Sequence, residues 1–353
     1  MKIAFVKDAM SSGRGADRAV ATLMNGLAGR GHDIAFVTLQ ADDVPFSVAL
    51  DRRIAVLRVA ASDVAKAADG ADVIVSTGTN EILLLEDADK PIVQQFHTAP
   101  ASCFKWRHPL RNRAIRRALQ DVAAVQVLLP GHLAALPSAL RVRATVIGNA
   151  PTVTPSRGKE LPPPEKSIIY PAALSNGKNH DLLIRSFAAV AREFPEWTLE
   201  LYGSGKPSEA TRLECLAERL DRRVPGLRGR IRFMGYTDIR NAYARCAFLA
   251  FPSRIEGFGL AIVEAASFGK PAIGLSAAPG VNELILNGHT GLLVRSDVAA
   301  FADGMRRLMS DDALRLRMGN EARTACRSRY DMEHVLDAWE SLLGSTVRKL
   351  PAT

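Results

Sequence analysis

Phe248-Leu249-Ala250-Phe251-Pro252-Ser253-Arg254-Ile255-Glu256-Gly257-Phe258-Gly259-Leu260-Ala261-Ile262-Val263-Glu264-Ala265-Ala266-Ser267-Phe268-Gly269-Lys270-Pro271 reads as a strand, a glycine-containing loop and a helix. The apolar run Phe248–Phe251 is the strand. The helix is expected to stop at Gly269, with Pro271 just beyond it. Unpaired N–H groups and the helix dipole at such a loop-to-helix junction favour an anion. Glu264 falls in mid-helix, and its neighbours at three and four residues are Leu260, Ala261, Ser267 and Phe268. A carboxylate on so apolar a face is costly unless something pairs with it. Ribose hydroxyls and a buried arginine are both suitable partners.

Working outward, the same alternation covers the chain. Apolar runs at Ile3–Val6, Ile34–Val37, Val73–Val75, Ile92–Val93 and Ala124–Leu129 precede a break. Ile168–Tyr170, Leu199–Tyr202, Ile231–Phe233, Phe248–Phe251, Ala272–Leu275 and Leu292–Val294 follow it. Helical stripes lie between them, as at Val20, Leu23, Met24 and Leu27, and at Leu183, Phe187 and Val190. Strands apolar on both faces and alternating with helices predict α/β domains with doubly wound parallel sheets. The break, Pro151 to Pro164, is rich in proline and polar residues and reads as a semi-rigid linker. The predicted organisation is therefore an N-terminal Rossmann-like domain over 1–155, a second over 165–330, and a C-terminal helix over 331–347 that packs back on the first. Ligands of such sheets bind at the carboxyl ends of the strands, so the expected site is a cleft between two facing domains.

Bulk properties narrow the partners. The 353 residues exceed one comfortable core. A net charge of +9 favours anionic partners such as nucleotide diphosphates, anionic lipids or nucleic acid. Met1–Val6 reads as a strand and lacks signal-peptide features. No apolar run reaches the roughly 20 residues that span a bilayer. Cys103, Cys215, Cys246 and Cys326 show no zinc-ligand spacing and suit reduced thiols in a cytosol.

Two glutamates separated by seven residues, Glu256 and Glu264, with Gly-Phe-Gly after the first, resemble the signature of glycosyltransferase family 4, which has the GT-B fold. Further matches follow in order: Gly13-Arg14-Gly15-Ala16-Asp17-Arg18, Arg30-Gly31-His32-Asp33, Gly148-Asn149, Gly203-Ser204-Gly205, Gly280–Ile285 and Gly288–Val294. Their order and spacing carry the resemblance over nearly the whole chain. It implies a retaining glycosyltransferase of hexosyltransferase type that uses a nucleoside-diphosphate sugar and no metal. By this resemblance Glu264 binds the donor ribose and Glu256 holds hydroxyls of the transferred sugar. Phe258, Gly259 and Leu260 offer backbone N–H groups, and Lys178 meets the donor diphosphate. Gly203 forms the middle glycine turn, and His97 stands near the reacting sugar. Gly13 and Gly15 lie after the first strand, where the backbone either approaches substrate closely or merely turns. No side chain stands out as a covalent nucleophile, so the implied chemistry is diphosphate departure with attack on the same face.

One position departs from the family. An arginine usually precedes the lysine as a second diphosphate contact, and this chain has Ala172-Ala173-Leu174 there. Either Lys206, Asn179 or Arg254 substitutes, or leaving-group stabilisation is weaker. The alternative function is accordingly a catalytically weak GT-B partner subunit that binds a nucleotide or glycan.

The expected acceptor is a cell-surface polysaccharide or glycolipid precursor, as in lipopolysaccharide or exopolysaccharide biosynthesis. The basic run Lys105–Arg117, with Phe104, Trp106 and Leu110, suits an anionic membrane surface. The expected location is the cytoplasm, peripheral at the inner face of the plasma membrane. Other classes fail on their motifs. A dinucleotide fold needs G-x-G-x-x-G and an acid after the second strand, where Thr38-Leu39-Gln40 stands. Gly177-Lys178 lacks the earlier glycine of a P-loop. Asp87-Ala88-Asp89 precedes a strand and reads as a surface loop instead of a metal-binding pair. Nucleic-acid recognition elements are not apparent.

Overall fold

The computed structural model describes residues 1–100, 109–156, 158 and 160–348. The chain divides into two compact units, Met1–Thr152 with Tyr330–Thr353, and Val153–Arg329.

The first unit holds a seven-stranded sheet. Its strands are β1 (Lys2–Lys7), β2 (Asp33–Thr38), β3 (Ala55–Arg58), β4 (Val73–Ser76), β5 (Ile92–Gln95), β6 (Ala124–Val127) and β7 (Ala144–Val146). They lie in the order β3-β2-β1-β4-β5-β6-β7, and every pairing is parallel. Alternate residues of one strand feed two cores, Ile3 and Phe5 on one face and Ala4 and Val6 on the other. That two-sided burial explains why the strand reads as an unbroken apolar run.

The edge strands β3 and β7 were not marked by apolar runs. Their residues are exposed or only half-buried, so the hydrophobic signal is weak there. The helix Met332–Arg348 belongs to this unit and buries Val335, Leu336, Trp339, Leu342 and Leu343 in the first of these cores. Arg30 holds it by hydrogen bonds to Glu333, Asp337 and Glu340, the last two at 2.7 Å.

The second unit holds a six-stranded parallel sheet of β8 (Ser167–Pro171), β9 (Thr198–Tyr202), β10 (Ile231–Gly235), β11 (Phe248–Phe251), β12 (Ala272–Leu275) and β13 (Gly291–Val294). Its order is β10-β9-β8-β11-β12-β13. The direction of winding reverses between β8 and β11, which pair directly. Loops leaving neighbouring strands at such a reversal diverge and open a crevice at the carboxyl edge. Ile168, Ile169, Leu249, Ala250, Phe187 and Trp197 are among the residues of one continuous core here. Among the described residues, no helix is long and apolar enough to cross a membrane.

Candidate active site

The two loops at the second unit's reversal point carry most of the residues singled out above. After β8 the chain passes Ala172–Ser175, makes a single tight turn at Asn176–Lys178, and enters the helix His180–Val190 through Asn179. After β11 it runs from Pro252 to Gly259 and enters the helix Leu260–Ser267.

Hydrogen bonds stitch the loops together. The Arg254 N–H donates to the Gly177 carbonyl at 3.1 Å. Asn179 Nδ2 donates to the Pro252 carbonyl at 3.3 Å. The buried Tyr170 hydroxyl donates to the Lys178 carbonyl at 2.7 Å and lies 2.8 Å from Ser253 Oγ. Burial foremost, with Glu256 adding to it, holds that phenol far above its ordinary range, so it stays protonated and able to donate.

Within this frame Lys178 Nζ donates to Glu256 Oε1 at 2.6 Å, although the residues stand 78 positions apart. Their side chains are 27% and 11% exposed, so the pair is partly desolvated yet reachable. The backbone needs glycine to seat it. Gly280 has φ +82°, and a Cβ there would stand 2.5 Å from the Glu256 carbonyl oxygen. Glu256 N–H in turn donates to the Pro279 carbonyl at 3.0 Å. Gly203 has φ +126°, and a Cβ there would stand 2.3 Å from the Ala172 carbonyl oxygen. The glycine turn after β9 and the stretch Ala172–Leu174 are therefore pressed together, backbone on backbone. Gly259, with φ +83°, stands just before the helix Leu260–Ser267, and Phe258 before it is buried. The helix stops where expected: Gly269 has φ +68° and its N–H donates to the Ala266 carbonyl.

Glu264 lies on that helix at 1% exposure. It accepts a hydrogen bond from the Tyr243 hydroxyl at 2.9 Å, and Tyr243 stacks on Phe268. The donor is a neutral phenol. A carboxylate offers about four acceptor directions, and this bond uses one of them. Tyr243 was missed from the sequence because its partner is 21 residues away on another element.

His180 also escaped notice. It is buried against Tyr170 at a ring-centroid distance of 4.8 Å, and burial pushes its imidazole down to about 4. It is neutral near pH 7 and lends the loop an apolar wall.

In the first unit, His97 follows β5. Neither ring nitrogen reaches solvent or has a hydrogen-bond partner among the described residues. Burial, with Lys7 adding to it, pushes the imidazole down to about 3, so it is neutral. Lys7 ends β1 and pairs with Asp17 Oδ1 at 3.4 Å and Asp8 Oδ1 at 3.7 Å. Asp17 also accepts from the Ser12 hydroxyl at 2.5 Å. Gly13 has φ +62° and its N–H donates to Ser47 Oγ at 2.8 Å, while Gly15 opens the helix Gly15–Gly29. Glu81 is buried, and desolvation raises it above the usual carboxylate range. Lys7 and Glu81 were not read from the sequence, and Asp17 entered only within the match Gly13–Arg18 with no role given; charged residues ending an apolar strand, as Lys7-Asp8 do, were the available signal. Of the basic run Lys105–Arg117, residues 105–108 lie outside the described set, as do Phe104 and Cys103.

Comparison with known proteins adds a family context. The family model for glycosyl transferases group 1 matches residues 165–311. An uncharacterized glycosyltransferase of Haemophilus influenzae is 27% identical over 199 residues, 56% of this chain and 54% of the relative. A lipopolysaccharide core biosynthesis mannosyltransferase of Rhizobium leguminosarum is 32% identical over 173 residues, 47% of this chain and 48% of the relative. The chain thus spans about half the length of these curated relatives. Among solved structures, Anabaena HepE in complex with UDP and glucose superposes with a TM-score of 0.82 at 20% identity, covering 98% of this chain and 100% of that one. Residues 165–311 therefore match the group 1 glycosyl transferases, within a chain that has the GT-B fold.

Proposed function

We propose that this protein is a retaining glycosyltransferase that moves a sugar from a nucleoside-diphosphate sugar to a glycan or lipid-linked glycan acceptor. The observation that carries the reading is the Lys178–Glu256 pair at the reversal point of the second unit's sheet, with Glu264 on the helix that follows. In the proposed reaction the bond from the anomeric carbon to the diphosphate oxygen breaks, and its electron pair leaves with the diphosphate. An acceptor hydroxyl oxygen bonds to the same face of that carbon, and its proton passes to the departing phosphate oxygen.

Lys178 stabilises the charge that builds on the leaving group, where fixed charges contribute most. Glu256 takes hydroxyls of the transferred sugar, and Glu264 those of the ribose. Backbone N–H groups of Phe258, Gly259 and Leu260 face the sugar and phosphate, and Gly203 closes the glycine turn pressed against Ala172. In the first unit the neutral His97 meets a hydroxyl of the reacting sugar, and the backbone at Gly13 and Gly15 approaches the donor. The names of the compared proteins, a lipopolysaccharide core mannosyltransferase and a UDP-and-glucose complex, support this class of acceptor and donor.

Thermal-shift titration against UDP-, GDP- and ADP-sugars tests the donor: one nucleotide series is expected to raise Tm, and a flat response to all of them counts against the reading. The alternative, a catalytically weak partner subunit, is favoured by Ala173 at the position of the usual arginine. It predicts nucleotide binding with neither transfer to acceptor nor slow hydrolysis of the donor.

The helix Pro109–Ala118 carries Arg111, Arg113, Arg116 and Arg117 beside Leu110, which is 84% exposed. Such a face suits an anionic lipid surface. Vesicles containing phosphatidylglycerol are expected to float the protein, and charge reversal at Arg113, Arg116 and Arg117 to abolish flotation. Unchanged flotation of the variant removes this helix as the contact, and a parent protein that does not float removes the membrane from the proposal.

A further inference from the structure

Two cations stand on the paired loops of the second unit, and their surroundings differ. Lys178 is matched charge for charge by Glu256 at 2.6 Å. Arg254 is held by neutral oxygens: Nη1 donates to Asn176 Oδ1 at 3.1 Å and Nη2 to Asn179 Oδ1 at 3.2 Å. Its side chain is exposed and forms no ion pair among the described residues. The net charge of the stitched loops is therefore carried by Arg254, while the Lys178–Glu256 pair sums to zero.

Asn179 shows that this arrangement is built. It is the sole non-glycine residue with positive φ, +57°, among the described residues, a conformation that asparagine tolerates better than most. The side chain is buried and used at both ends, Nδ2 on the Pro252 carbonyl and Oδ1 on Arg254. One residue thus turns the chain into the helix His180–Val190 and aims a guanidinium from the opposite loop.

A guanidinium has five N–H donors in a rigid fork, and neutral amides that occupy two of them leave its charge and its remaining donors available. Planar N–H pairs match phosphate oxygens. Lys206, in contrast, is exposed before the helix Pro207–Asp221 with no side chain orienting its ammonium among the described residues. A preoriented cation loses less conformational entropy on binding than a mobile one.

We propose that Arg254, oriented by Asn176 and Asn179, is the second diphosphate-binding cation of this site. This rests on the nucleotide-sugar reading above and names the residue that stands in for the arginine absent at Ala173. Asn179 is a positioning residue, since it acts through Arg254.

The test is calorimetric titration of the full chain with inorganic pyrophosphate, with UDP, GDP and ADP, and with the corresponding nucleosides. Arg254→Gln is expected to weaken pyrophosphate and the preferred nucleoside diphosphate by about ten- to a hundredfold, the usual worth of a charged hydrogen bond. Nucleoside affinity should not move. Arg254→Lys should recover part of the loss. Asn179→Gly keeps the left-handed backbone accessible and removes the clasp, so diphosphate affinity should fall and nucleoside affinity hold, with a modest drop in Tm from the Pro252 carbonyl that loses its donor. Lys206→Gln should bind as the parent does.

Parent-like diphosphate affinity in Arg254→Gln, or a loss that follows Lys206 instead, overturns the assignment and leaves the donor reading standing. Arg254-dependent binding of pyrophosphate without binding of any nucleoside diphosphate sinks the donor reading and keeps Arg254 as an anion site. No binding of any phosphate ligand by the parent protein overturns both.

Discussion

Lys178→Ala is expected to lower kcat/KM for sugar transfer by about 10²–10³-fold, the usual cost of removing one preorganised stabiliser of a developing anion. The expectation follows from the ammonium's place, 2.6 Å from Glu256, on the loops that leave the paired strands β8 and β11 where the winding reverses. The pair also makes a second, opposite prediction. In the unliganded protein Glu256 competes with phosphate for the Lys178 ammonium. Glu256→Gln keeps a polar partner but removes that competing charge. It should bind the nucleoside diphosphate product more tightly than the parent while transferring sugar more slowly. Steady-state kinetics and product-inhibition constants read both effects. Turnover of Lys178→Ala within threefold of the parent excludes the leaving-group role. Product affinity that falls in Glu256→Gln shows that the carboxylate does not compete for the cation.

Arg245→Ala is expected to destabilise the second unit by about 3–5 kcal/mol, because it strands a buried carboxylate. That carboxylate is Glu200, fully buried on β9. It accepts from Arg245 Nη2 at 2.5 Å and from the Tyr202 hydroxyl at 2.7 Å, with Arg232 at 3.5 Å. Tyr202 and the half-exposed, more distant Arg232 cannot offset the desolvation of a full charge. Replacing both partners, Glu200→Leu with Arg245→Met, should restore most of the loss, since no uncompensated charge remains. Urea unfolding midpoints measure the three variants. A single-variant effect below about 1 kcal/mol, the range of exposed pairs, means that Glu200 is hydrated in solution.

The legible features share one physical cause. Strands covered on both faces must be apolar at every position, so β1, β8 and β11 announce themselves without help from their neighbours. β3 and β7 do not, because an edge strand has an unpaired side and less to bury. The same holds for the site. Glu256 and Glu264 stand out because a loop of glycines and a greasy helix surround them in the sequence itself. Glu200 also lies in an apolar run, Leu199–Tyr202, yet it serves an internal ion pair. A charged residue in a hydrophobic stretch therefore marks a partner without naming it.

What the linear chain determined is the alternation of strand and helix, hence the parallel sheets, together with the glutamate-bearing loop and helix by which it resembles GT-B proteins. Those features depend on spacing along a few turns or one strand. What only the tertiary structure decided is the pairing of Lys178 with Glu256, the hold of Tyr243 on Glu264, and the capture of Arg254 by Asn176 and Asn179. Each joins residues on separate elements, and its distance is set by how β8, β11 and their helices pack, a quantity that no local pattern of side chains contains.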